Sequence, residues 1–180
     1  IFPLMVGLGI IAKPFIKVVL WDDWLQAADL LTILSFTFML YPIHAINLNL
    51  LQVKGRSDIF LKLEVIKKAL IVLILFITIP FGIEAICIGM LVHTYLAFFI
   101  NSYYTGQFSK LKIRDQLNAL APIWLMVALS ALCTYFIVTS IVSIFLLNSY
   151  MQLFLLLITM PLIYIASARV FQQDLYTQIL

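Results

Sequence analysis

The sequence predicts an all-α protein that crosses a membrane several times, and three observations carry that prediction. Of the 180 residues, 64% are apolar and 11% are charged, with a mean hydropathy of +1.14; a soluble domain holds roughly 45–50% apolar and about 25% charged residues. The apolar residues come in runs of the length a spanning helix needs, about 20 residues for a hydrocarbon core of about 30 Å. The charges are gathered into the connectors between those runs. A globule of this size has too little interior to hide so much apolar surface from water, so most of the chain must meet lipid.

The elements follow in order. The opening IFPLMVGLGI has no starting Met and no basic segment ahead of it, so it does not read as a signal peptide. It reads as a partial helix over about 1–11, and the chain as the C-terminal fragment of a larger transmembrane region covering all of 1–180. AKPFIKVVLWDDW, interrupted by Pro14, is expected to lie in the outer interface. Full spans are expected at about 27–51, 65–80, 83–104, 117–140 and 149–168. Read as one helix, the second and third would be roughly 48 Å long, well beyond the bilayer core. Pro80-Phe81-Gly82 supplies the break, because Pro removes a backbone donor and Gly tolerates turn geometry.

Charge fixes the topology. With that break, the connectors at 52–64 and 105–116 fall on one side of the membrane. Lys54, Arg56 and Lys62, the helix-end Lys67 and Lys68, then Lys110, Lys112, Arg114 and Arg169 share that side, leaving only Lys13 and Lys17 opposite. The positive-inside rule places this side, and the C-terminus, in the cytoplasm. Trp21, Trp24, Tyr103 and Tyr104 stand where interfacial aromatic residues belong.

Polar groups within a span are costly and often functional. At 100° per residue, Asp29, Thr37, Tyr41, His44 and Asn47 fall on one stripe of the first full span, with Pro42 permitting a kink. Such a stripe either lines a water-filled cavity or forms hydrogen bonds between helices. Thr37, Tyr41, His44, Asn47 and His93 are therefore the cavity candidates. Lys54, Arg56, Lys62, Lys67 and Lys68 are the candidates for anchoring the chain or meeting an anionic headgroup. Glu84 is expected at the outer interface, and Asn101 and Asn118 at the cytoplasmic one. His93 shares a face with Gly82 and Gly89, where a neighbouring backbone can come close. Cys87 and Cys133 read as packing residues.

No catalytic or metal-binding pattern is present: there is no HExxH, no GxSxG, no phosphate-gripping Gly loop and no carboxylate cluster. The net charge of +3 is too small and too localised for a nucleic-acid surface. No enzyme activity and no cofactor are expected.

Three features together resemble a known family. They are AKPFIKVVLWDDW followed by an apolar helix ending in HAINLNLLQVKGRSDIFLKLEVIKK, the hairpin ITIPFGIEAICIGMLV, and a basic connector before two closing helices, the last bearing LIYIASARVF. The pattern resembles the C-terminal part of bacterial polysaccharide transporters, the Wzx-like flippases of the multidrug, oligosaccharidyl-lipid and polysaccharide exporter superfamily. The resemblance covers essentially the whole chain, and its most specific part is Asn47 to Lys68. It implies a bundle of twelve to fourteen helices in the bacterial inner membrane, opening alternately to each face. Its cargo would be an undecaprenyl-pyrophosphate-linked sugar, a precursor of O-antigen or similar polysaccharide, and a glycan polymerase would be a partner. The cationic cavity residues that would neutralise a pyrophosphate find no match, since no Lys or Arg is expected mid-span. Export of small amphipathic compounds by the same architecture is the alternative transport reading. A polytopic glycan-processing enzyme is a third, though connectors of about a dozen residues leave little room for an extramembrane site. A structural subunit without transport activity is a fourth.

Overall fold

The computed structural model describes residues 1–109 and 111–171; Lys110 and the tail from Gln172 lie outside the described residues. Seven α-helices follow one another, with no strand among the described residues: α1 (Phe2–Val19), α2 (Leu25–Phe38), α3 (Tyr41–Val53), α4 (Ser57–Thr78), α5 (Ile83–Phe108), α6 (Ile113–Phe145) and α7 (Ser149–Phe171). Among the described residues, five stretches are long and apolar enough to cross a membrane: Phe2–Val19, Asp22–Val53, Ile83–Phe108, Ile113–Phe145 and Ser149–Arg169. The chain is an all-α, multi-pass membrane protein.

Three boundaries differ from those the sequence predicts. α1 does not stop near residue 11 but runs through Pro14, which is buried; a Pro within a helix costs one backbone bond without forcing an end. The stretch 27–51 is not one kinked helix. It breaks at Met39-Leu40, and Pro42 falls in the first turn of α3, where its missing N–H has no partner to lose. The segment 65–80 is the second part of a longer helix, α4, which starts at Ser57. Its first part carries Asp58, Lys62, Glu64, Lys67 and Lys68 and its second part, from Ala69, is uniformly apolar up to Thr78. α4 is not among the five apolar stretches.

The chain forms two compact units, Ile1–Thr32 with the residues from Pro122 onward, and Ile33–Ala121. In the first, α1 packs along α7, with Gly7 facing the Met160 sulfur, where an added Cβ would sit 3.3 Å away. Ala12, Ile16 and Ala28 form its small core. Lys13 pairs with Asp29 at 3.5 Å and Lys17 with Asp22 at 3.3 Å, both exposed.

The second unit is built on α3, α4 and α5. α4 reverses through a 3-10 turn at Ile79–Phe81 into Gly82, whose φ of 89° is one that L side chains rarely adopt. The α4–α5 hairpin closes tightly at Gly89: a Cβ there would meet the Ile74 Cγ2 at 2.8 Å and the Thr78 Cγ2 at 2.9 Å. α3 runs parallel to α5, since His44 meets Asn101 and Asn47 meets Ser102 and Thr105. The ends of α3 and α5 therefore lie together. Arg56, just past α3, sits 4.3 Å from the centre of the Phe108 ring at the end of α5. The two basic connectors thus share one end of this unit, as the charge pattern predicts.

Candidate functional site

Three helical stripes in the second unit converge on a cavity of about 350 Å³. α3 contributes Tyr41, His44, Ala45 and Leu48, α4 contributes Glu64, Lys67 and Lys68, and α5 contributes His93, Thr94 and Ala97. The spacings of three, four and seven residues are those that stack side chains on one face of a helix.

Within the cavity wall, Lys67 Nζ donates to Glu64 Oε1, closing an ion pair one turn apart on α4. His93 Nε2 lies 3.1 Å from the Lys67 carbonyl oxygen. A carbonyl can only accept, so that nitrogen carries the proton and ties α5 to α4. His44 Nδ1 receives the Asn101 amide N–H at 3.1 Å, which fixes α3 against α5 and leaves the ring proton on Nε2. Lys68 has no ion pair among the described residues and is exposed. The wall therefore offers one paired cation, one free cation, two imidazoles and the hydroxyls of Tyr41 and Thr94. That set can receive an anionic, hydroxyl-rich group. Among the described residues, no three His, Cys, Asp or Glu side chains gather closely enough to hold a metal ion.

Beside the cavity lies a buried polar cluster. Asn47 Nδ2 donates to Ser102 Oγ at 3.2 Å and to Gln116 Oε1 at 3.0 Å; Ser102 Oγ donates to the same Gln116 oxygen at 3.1 Å. Thr105 Oγ1 donates to the Asn47 carbonyl at 3.2 Å. Asn47, Asn101, Ser102 and Thr105 are all buried. Buried polar groups are costly unless paired, and Asn47, Ser102 and Thr105 pair with one another and with Gln116.

The expected residues divide accordingly. Tyr41, His44, His93, Lys67 and Lys68 line the cavity together. Asn47 sits in the adjoining cluster and joins helices rather than facing the cavity. Thr37 does neither: it is buried, and its hydroxyl bonds back to the Ile33 carbonyl at 2.9 Å in its own helix. Arg56 is engaged by Asp58 through two hydrogen bonds of 3.1 and 3.0 Å. Those bonds hold the Asp58 carboxyl below its ordinary range. Lys54 and Lys62 are exposed and outside the cavity. Asn101 is fully buried within this unit, two turns before the end of α5 at Phe108. Gln116 and Glu64 were not singled out by sequence, although Glu64 stands three residues from Lys67, the spacing of a helical ion pair.

Neither family models, nor curated proteins, nor solved structures give a match to this chain.

Proposed function

We propose that this chain belongs to a bacterial inner-membrane carrier that moves a lipid-linked oligosaccharide precursor between leaflets by alternating access, and that it does no covalent chemistry. One observation carries the reading: Lys67 and Lys68 lie near the middle of the 22-residue α4 and line a cavity with His44, His93 and Tyr41. Sequence placed these lysines at a helix end, which left a pyrophosphate without a cationic partner. With α4 starting at Ser57, these lysines stand mid-helix and line the cavity, which supports a cationic partner there.

The physical case is one of conflicting solvents. A sugar headgroup cannot enter hydrocarbon unaided, while its isoprenoid chain belongs there. A cavity walled by imidazole, hydroxyl and ammonium groups replaces the water that the headgroup loses. Alternation would be a rigid-body rocking of helix groups about short turns such as that at Gly82. The basic connectors at one end of the α3–α5 unit support a cytoplasmic placement of that end. The sequence resemblance to polysaccharide transporters points the same way.

The test is complementation in cells lacking the protein, using the full-length chain. Wild type restores lipid-linked sugar to the outer leaflet. The double variant Lys67→Gln/Lys68→Gln reaches the membrane at normal levels and restores it at least about tenfold less, the effect of losing about 1.4 kcal/mol of headgroup binding. An unchanged leaflet distribution of lipid-linked sugars in cells without the protein would end this reading.

A further inference from the structure

We propose that the α4 cavity is the head end of a binding site for an anionic membrane phospholipid, with the phosphate at Lys68 and an acyl chain lying along an apolar furrow of the same helix. The furrow has a volume of about 730 Å³ and is lined by Val65, Ala69, Val72, Leu73 and Phe76, with Glu64 and Lys68 at its polar end. Glu64 and Lys68 also line the cavity, so the polar and apolar spaces meet at these two side chains.

Charge identifies the head. Glu64 is occupied by Lys67, which leaves Lys68 as the charge at the junction with no ion pair among the described residues. A free ammonium beside hydrocarbon is costly until an anion joins it. Size identifies the tail. Ala69 to Thr78 is an unbroken apolar stretch that rises about 15 Å along α4. The furrow face is open: Val72 is 65%, Leu73 59% and Phe76 81% exposed. A free phosphate would satisfy Lys68 and leave the furrow bare, and an apolar helix would do the reverse. A phospholipid with a net negative head satisfies both. The inference shares Lys68 and its cavity with the transport reading, so phospholipid and cargo headgroup would hold the site in turn; lipid retention by the purified protein tests the first without reference to transport.

The experiment is lipid retention by the purified full-length protein, followed by native mass spectrometry. The probes are dioleoyl phosphatidylglycerol, phosphatidylcholine with the same chains, and glycerol phosphate. Wild type retains phosphatidylglycerol over phosphatidylcholine by about fivefold, the worth of one cation near a charged surface, and does not retain glycerol phosphate. Lys68→Gln brings the two lipids to parity, while Lys112→Gln, a cation outside both spaces, leaves the preference intact. Ala69→Trp fills the furrow at an exposed position and lowers phosphatidylglycerol retention with Lys68 in place; Val72→Trp does the same and serves should the first variant fold poorly. Equal retention of the two lipids by wild type, a preference that survives Lys68→Gln, or retention indifferent to both Trp variants would overturn the proposal.

Discussion

Asn47 is one amide that joins three helices, donating to Ser102 on α5 and Gln116 on α6 from its place on α3. Each interhelical hydrogen bond in a membrane is worth about 0.6 kcal/mol on average, so Asn47→Ala should destabilise the protein by about 1–2 kcal/mol, more than the bonds alone because buried partners lose a donor. Thr37→Val should be within about 0.5 kcal/mol of wild type, since among the described residues Thr37 bonds only within its own helix and the swap keeps its shape. Reversible denaturation in mixed micelles measures both. Equal losses at the two positions would show that the network adds nothing. The contrast also marks what a single sequence makes legible. Thr37, Tyr41, His44 and Asn47 share a stripe only if one continuous helix carries them. The break at Met39-Leu40 resets the angular count, so Tyr41 and His44 reach the cavity while Thr37 does not. Nothing in the polarity of residues 36–40 announces that break.

α4 and α5 make the hairpin on which the site depends. The turn was legible because Pro80 and Gly82 carry it chemically, and Gly82 does hold the positive φ. The tight closure at Gly89 rests on β-branched partners, Ile74 and Thr78, whose methyls are held by stiff χ1 angles. Overpacking at Gly89→Ala should therefore cost about 1–3 kcal/mol, less the roughly 1 kcal/mol that Ala gains over Gly in helix propensity, a net loss of up to about 2 kcal/mol. A companion Ile74→Ala should recover part of that loss, which a double-mutant cycle of thermal unfolding reads directly. An additive cycle would remove the contact from the explanation. The start of α4 was hidden for a physical reason: charged residues read as a solvated loop, yet Asp58 suits a first helical turn and Glu64 and Lys67 suit i, i+3 pairing.

Across the molecule, the multi-pass all-α architecture was readable because composition and run length leave few alternatives, while the two-unit organisation and the polar contacts between helices depend on spatial neighbours that no linear pattern states. The meeting of Arg56 with Phe108 makes a topological prediction. In a background with Cys87 and Cys133 replaced, single cysteines at Ser57 and Ser109 should both resist a membrane-impermeant thiol reagent in intact cells and both react once the membrane is permeabilised. Reaction of one alone from outside would separate ends that the structure brings together. The two-toned character of α4 also bears on biogenesis. After Lys67 and Lys68 its apolar run, Ala69 to Thr78, is about half the length a spanning helix needs, so α4 is a poor candidate for entry by itself. α5 brings His93 to the Lys67 carbonyl, and Glu64 already matches the ammonium. Delivery to the bilayer should thus be a joint event, with the ribosome holding α4 at the translocon until its apolar companion emerges.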